Sequence, residues 1–279
     1  MKKLIIQIPC FNESPSLPHV LKSLPRNISG IDVIEWLIID DGSDDDTVAV
    51  ARFYVVDHIV AHSKHCGLAK AFSSGIQYCL SQHADIIVNT DADNQYCSED
   101  IITIIKPILE KKADMVIGSR SILNIESFSK FKKLLQKTGS FIVRKVSSTE
   151  VADAPSGFRA FSSEAARQLN VFTGYTYTIE TIIQAGLSDL TVISVPINVN
   201  PTIRPSRLIK NTFSYVIISF ITLIRSYVIY RPFQFFSSLG LATFVSGLIL
   251  GVRFLFFYYS GHGAGHIQSV ILSSLLMAD

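Results

Sequence analysis

The sequence predicts an α/β domain built on a mostly parallel sheet with helices on both faces, followed by a hydrophobic C-terminal region that meets a membrane. Three observations predict it. Short β-branched runs alternate with stretches of helical periodicity through the first 120 residues, almost every unusual polar cluster there falls directly after one of those runs, and charges thin out from residue 213 onward.

The runs are residues 4–8, 36–39, 58–61, 86–89 and 115–117, each bounded by polar or turn residues. Residues 16–24 keep Leu17, Val20, Leu21 and Leu24 on one helical face. Residues 67–82 do the same with Leu68, Ala71, Phe72, Ile76 and Leu80, and a third helix with an acidic start follows over 101–110. Alternating strands and helices form parallel sheets covered on both faces.

In such sheets ligands bind beyond the carboxyl ends of the strands. The segments to search are therefore 9–13, 40–43, 62–69, 91–95 and 118–120, and that is where the polar clusters lie. Strand 86–89 runs into Thr90-Asp91-Ala92-Asp93-Asn94-Gln95. On an extended strand end residues i and i+2 point the same way, so Asp91 and Asp93 offer hard oxygens to one Mg²⁺ or Mn²⁺ ion that also holds a phosphate. A solvated turn after a buried strand is the competing explanation for a lone Asp-x-Asp. Residues 40–46 pack five carboxylates into seven positions. Capping the next helix explains at most one or two of them, and Asp40 and Asp41 are placed where they could accept from base N–H groups and ribose hydroxyls of a nucleotide.

Composition narrows the field. The 279 residues carry a net charge of +2 and are 48% hydrophobic, with no long basic tract or aromatic-interleaved repeat of the kind that binds nucleic acid. Cys10, Cys66, Cys79 and Cys97 form neither a CxxC pair nor zinc spacing, and read as small thiols in a reducing compartment. The apolar run at the amino end is too short for a secretory signal.

Several motifs, taken in order, resemble family 2 glycosyltransferases, and within them the polyprenyl-phosphate sugar transferases. Ile8-Pro9-Cys10-Phe11-Asn12-Glu13 is similar to an opening apolar-Pro-x-Tyr-Asn-Glu. Asp40-Asp41-Gly42-Ser43 with Asp46-Thr47, Asp91-Ala92-Asp93-Asn94-Gln95, Gly118-Ser119-Arg120, the stretch Asp153-Ala154-Pro155-Ser156-Gly157-Phe158-Arg159, Glu180 and Arg204-Pro205-Ser206-Arg207 continue it. The resemblance covers residues 4 to about 232. It implies a glycosyltransferase A-type fold and a GDP- or UDP-hexose donor, with Asp91, Asp93 and Gln95 ligating the ion that bridges its diphosphate. Pro9, Phe11, Glu13, Asp40 and Asp41 would hold base and ribose, while Asp93, Arg120, Arg204 and Arg207 would serve the reacting phosphates; a salt bridge is the competing role for each arginine. Two positions depart from the family pattern: Phe11 stands for Tyr, and His65 in His65-Cys66-Gly67 stands for Asn. A neutral imidazole replaces an amide as donor or acceptor at one atom, not both.

The implied chemistry needs no nucleophile on the protein. A phosphomonoester has its second pKa near about 6, so a polyprenyl phosphate is largely a dianion at neutral pH and attacks the anomeric carbon directly, which predicts inversion. The protein's work is positioning and charge neutralisation.

The second half of the sequence reads as membrane-directed. Residues 128–147 hold six basic residues and no acid, with Phe128, Phe131, Leu134, Leu135, Phe141 and Ile142 partly at helical spacing, the pattern of an interfacial helix. Residues 213–224 are apolar but too short to span. Residues 233–252 are twenty uncharged residues, a transmembrane helix, with Arg225 and Arg231 before it keeping the catalytic part on the cytoplasmic side of the membrane. Residues 267–277 begin another apolar run whose eleven residues do not cross a bilayer, so the chain reads as cut short inside a second membrane segment. The expected organisation is a catalytic domain over 1–210, an interfacial helix and linker over 211–231, and an anchor over 232–279. Two readings compete with transfer to a polyprenyl phosphate. One is transfer to another lipid-linked or saccharide acceptor. The other is a catalytically silent membrane protein of the same fold, favoured by the short tail and His65 and opposed by the intact Asp91, Asp93 and Gln95.

Overall fold

The computed structural model describes residues 1–120, 130–171, 177–201, 221, 224–225, 227–229, 231–261, 265 and 267–278, with side chains over 130–137 left out. Two compact units divide it, Met1–Leu223 and Ile224–Asp279.

The first unit is a seven-stranded sheet. Its strands are β1 (Lys3–Cys10), β2 (Val33–Asp40), β3 (His58–Ala61), β4 (Ile86–Asn89), β5 (Met115–Arg120), β6 (Arg159–Ser162) and β7 (Val192–Ile197), in the spatial order β3-β2-β1-β4-β6-β5-β7. The five runs expected from sequence are β1 to β5, most of them longer than expected. The two unexpected strands change the sheet's character: β6 inserts antiparallel between β4 and β5, and β7 pairs parallel with β5. β7 contains Pro196, which an edge strand tolerates.

Among the described residues of this unit lie helices α1 (Leu17–Ser23), α2 (Thr47–Phe53), α3 (Leu68–Ser81), α4 (Ile101–Leu109), α5 (Lys130–Ser147), α6 (Ser163–Gln168) and α7 (Thr178–Leu187). β1 is buried along its length apart from Lys3, as a central parallel strand covered on both faces must be. Period-two alternation divides its side chains. Leu4, Ile6, Ile8 and Cys10 join a core with Leu17, Val20 and Leu21 of α1 and Ile101, Ile104, Ile105 and Ile108 of α4. On the opposite face Gln7 donates to Asn89 Oδ1 (2.9 Å), and Asn89 Nδ2 donates to Gly157 O (2.8 Å) and Tyr177 Oη (2.9 Å). This buried polar ladder ties β1 and β4 to the loop before β6.

At the opposite end of the sheet from the polar clusters, Glu35 bridges Lys3 Nζ (2.7 Å) and His58 Nε2 (2.8 Å). Burial pushes the Glu35 pKa up, but the bonds and charges of Lys3 and His58 outweigh it and leave it below the usual value. A depressed carboxylate contributes stability above its unfolded pKa and loses it as pH falls through the folded one. Glu35→Gln should therefore melt below the parent at pH 7, and the difference should shrink in thermal melts as pH falls below about 4.3, the unfolded value, and through the lower folded one.

In the second unit, α8 (Pro232–Tyr259) spans 28 residues, with a mean hydropathy of 1.9 over its most apolar window and nearly all of that window exposed. It is a helix long and apolar enough to cross a membrane, and it contains the whole expected span 233–252. α9 (Ile267–Ala278) packs against it through Ser273, whose hydroxyl donates to Gly247 O at 2.6 Å. The expected interfacial segment 213–224 lies almost wholly outside the described residues.

Candidate functional site

Strand order places the site. From β1 the chain steps outward to β2 and β3, then returns to the other side of β1 as β4. The crevice at such a reversal, beyond the carboxyl ends of β1 and β4, is where open α/β sheets take ligands. The turns after β1, β2, β3 and β4 all converge there.

Two of them interlock. Asn12, at φ 55°, donates its N–H to Ser43 Oγ (2.9 Å) and accepts from Asp44 N at Oδ1 (2.9 Å). Glu13 N donates to Thr47 Oγ1 (2.8 Å), and the Glu13 carboxylate accepts from Ser16. The Asp45 carboxylate of the acidic run accepts from Ser14 N (3.1 Å) and Oγ (2.7 Å) and from Thr47 N (3.0 Å). Asp40 is buried; its Oδ2 accepts from Ser43 N (3.3 Å), while Oδ1 has no hydrogen-bond partner among the described residues. A buried carboxylate oxygen left unpaired is costly, and a ligand N–H or O–H would satisfy it. The neighbouring Cys10 thiol is pushed well up by burial and by the charges of Glu13, Asp40 and Asp45, which leaves it inert.

Asp41 is used differently. Its Oδ1 accepts from Cys66 N (2.9 Å) and His62 Nδ1 (2.8 Å), and its Oδ2 accepts from Gly67 N (2.7 Å) and lies in ion-pair range of His65 Nδ1 (2.8 Å). One carboxylate thereby fixes the whole turn after β3. Gly42, at φ 74°, permits this because a Cβ there would lie 2.6 Å from Lys64 C and 2.7 Å from His65 N. Asp41, His62 and Cys66 bring ligand atoms within 4.8 Å of one another. The Asp41 and His62 atoms are already committed to these hydrogen bonds, with His62 Nε2 on Ser74 Oγ (3.0 Å).

The Asp91–Gln95 turn follows β4. Asn94, at φ 59°, makes the tight reversal, and Asp93 Oδ1 accepts from Gln95 N (3.0 Å). Asn200 clamps the turn from outside, donating Nδ2 to Asn94 O (3.1 Å) and Tyr96 O (3.2 Å). Behind it Gly157 packs so closely that a Cβ would sit 2.9 Å from Asp91 Oδ1. Burial, and then the charge of Asp93, hold the Asp91 carboxyl well above the usual carboxylate range, with Arg120 and Arg159 pulling the other way. Two acids held side by side in a half-buried turn are a donor set suited to a hard divalent cation, which relieves their mutual repulsion.

Arg120, at the end of β5, is buried in a two-pronged pair with Asp153, Nε to Oδ2 at 2.7 Å and Nη2 to Oδ1 at 3.1 Å. Its Nη1 donates to Gln95 Oε1 at 3.4 Å. Arg120 therefore reaches the Asp91–Gln95 turn through Gln95 and is itself oriented by Asp153. Arg159 is fully buried and donates to Ser156 O, Ala154 O, Thr178 O and Thr181 Oγ1 at 2.7–2.8 Å. Burial pulls its pKa down to about 10. It binds the 154–157 loop to the start of α7, a role sequence reasoning did not assign, although the Ser-Gly-Phe-Arg motif singled out the residue. Pro9, Phe11, Glu13, Asp40, Asp41, Asp91, Asp93, Gln95 and Arg120 all lie on strand ends or the turns after them. Arg204 and Arg207 lie outside the described residues.

Known proteins carry the same plan. A 29% identical relative, the UDP-N-acetylglucosamine–dolichyl-phosphate N-acetylglucosaminyltransferase of Methanococcus voltae, aligns over 219 residues, 70% of this chain and 85% of that one. The polyprenol monophosphomannose synthase of Mycolicibacterium smegmatis is 24% identical over 207 residues, covering 70% of this chain and 77% of that one. Among solved structures, glucosyl-3-phosphoglycerate synthase from Mycobacterium tuberculosis, in complex with Mn²⁺, UDP and glucosyl-3-phosphoglycerate, superposes with a TM-score of 0.61 at 16% identity. That match covers 82% of this chain and 80% of that one, and establishes the shared fold. The family model for glycosyl transferase family 2 matches residues 5–169, a stretch holding every strand-end turn described above, and the chain is a glycosyltransferase belonging to that family.

Proposed function

We propose that the chain transfers a hexose from a nucleotide diphosphate sugar to a polyprenyl phosphate, with inversion at the anomeric carbon. The observation that carries this reading is the half-buried Asp91–Asp93 turn at the β1/β4 crevice, flanked by the interlocked turns after β1 and β2. Mg²⁺ or Mn²⁺ suits that oxygen donor set and, when bound, would supply charge neutralisation for the departing diphosphate.

The chain's own residues supply the rest. Asp91 and Asp93 are the proposed ion ligands, and Gln95 is the third candidate, its Oε1 shared with Arg120. Pro9, Phe11, Glu13 and Asp40 border the nucleoside, and the unpaired Asp40 Oδ1 offers it an acceptor. Asp41 positions the turn after β3. Arg120, held by Asp153, lends positive charge beside the ion site, and Arg204 and Arg207 are proposed to meet phosphates. An acceptor phosphate oxygen forms the new bond to the anomeric carbon as the bond to the diphosphate breaks, and the nucleoside diphosphate leaves with the electron pair.

The acceptor assignment is supported by relatives named for dolichyl-phosphate and polyprenol-phosphate chemistry and by α8, which would anchor the enzyme where such lipids reside. On this reading the catalytic domain faces the cytoplasm, because Arg225 and Arg231 precede the span. α5 fits a role at the lipid surface. Its Val143 is buried while Phe141 and Ile142 face outward, and its described half carries Arg144 and Lys145.

The test uses the full chain in membranes with labelled UDP- and GDP-hexoses, a polyprenyl phosphate, and either Mn²⁺ or EDTA. A labelled polyprenyl-phosphate sugar formed only with the metal is the expected product. Transfer to soluble saccharides alone would support the alternative acceptor class, and no transfer at all would leave the silent-protein reading standing.

A further inference from the structure

The two departures from the family pattern, Phe11 and His65, meet in space. Their ring centroids lie 4.0 Å apart at an interplanar angle of 31°, although 54 positions separate them in the chain. His65 is held on a second side by its Nδ1 contact with Asp41 Oδ2 (2.8 Å), and its side chain is still 54% exposed. Asp41 in turn is buried and fixed by three further donors. An exposed imidazole restrained by an aromatic ring and a buried carboxylate is not an ordinary solvated histidine.

The restraint sets its chemistry. A carboxylate oxygen 2.8 Å from Nδ1 favours, in the neutral ring, the tautomer with its proton on Nδ1, which leaves Nε2 as an acceptor. With one face on Phe11, the ring has the other face available to a planar partner. It stands on the turn after β3, directly against the turn after β1, at the edge of the same crevice.

We propose that His65 binds the nucleoside of the donor, stacking on its base and accepting at Nε2 from one of its N–H or O–H groups, with Phe11 and Asp41 as the positioning residues. This rests on the nucleotide-sugar reading of the site and adds a contact to it. It also accounts for the two departures together: an imidazole that replaces an amide gains a stacking face, and Phe11 backs that face without competing for its hydrogen bonds.

The experiment titrates the full chain in detergent with UDP and with GDP, each with Mn²⁺, by calorimetry, for the parent, His65→Ala, His65→Phe and Phe11→Leu. The better-bound nucleotide should lose about tenfold in affinity in His65→Ala. His65→Phe should recover part of that loss by stacking alone, and Phe11→Leu should weaken binding with His65 in place. In transfer assays the donor KM should rise with kcat retained, at an unchanged melting temperature. Nucleotide affinity unchanged in His65→Ala, with the parent binding normally, overturns the inference and leaves the proposed function intact. A melting temperature that drops together with affinity assigns His65 to holding its own turn and also overturns it. If the parent binds neither nucleotide, the reading of the site fails and the inference falls with it.

Discussion

In EDTA the Asp91→Asn variant should melt above the parent, and in Mn²⁺ it should melt below it. The first half follows from the sign of the Asp91 shift. Burial and the Asp93 charge raise its pKa in the folded state, so folding favours the protonated form. Ionisation then removes stability as pH rises from about 3.9, the unfolded value, through the folded one. An amide of the same shape carries no such penalty. The second half follows because a ligand that binds the native state stabilises it in proportion to its affinity, and removing one carboxylate removes most of that affinity. Transfer activity should fall by about a hundred- to a thousandfold, the range seen when a preorganised charge-stabilising group is lost. Asp93→Asn should behave alike in activity. Parallel melting curves for parent and variant across EDTA and Mn²⁺ would remove the ion from this turn.

Asp153→Ala should be the most destabilising substitution in the catalytic unit, by about 3–5 kcal/mol. Asp153 is fully buried and Arg120 nearly so. Deleting the acid strands a guanidinium that cannot reach water, and an unpaired buried charge costs more than the pair contributes. The double variant Arg120→Met/Asp153→Leu should recover much of the loss, since apolar residues of similar volume often replace a buried pair at little cost. It should not recover transfer, because Gln95 loses the Nη1 contact and the ion site loses its neighbouring positive charge. Chemical denaturation gives the stability difference, and the transfer assay separates it from function.

The first five strands and the turns after them were legible because apolar runs end abruptly in polar clusters. β6 was not, since its first residue is Arg159, and a charge at the head of a four-residue segment hides a strand. Only tertiary structure supplies the carbonyls and hydroxyl that make that burial tolerable. β7 was hidden by Pro196, which reads as a break until the strand is known to lie at the sheet edge. The site residues were legible as types and positions, but not as partnerships. Nothing in the sequence near Asp41 tells that its donors come from residues 62–67, or that Arg120 is oriented by Asp153, 33 positions away. Long-range pairing of polar atoms leaves no periodicity to read.

The antiparallel β6 also fixes a timetable. β1 to β4 pair from residues within the first 89 of the chain, so the side of the crevice formed by the turns after β1, β2 and β3 can assemble early during synthesis. The Asp91 turn cannot, because its backing arrives with Gly157 and its outer clamp with Asn200. A nascent chain emerging at about 5–20 residues per second therefore spends several seconds with this acidic turn unsupported. The Asp91–Gln95 turn is therefore among the last parts of this sheet to become native, and is exposed to error when folding is interrupted.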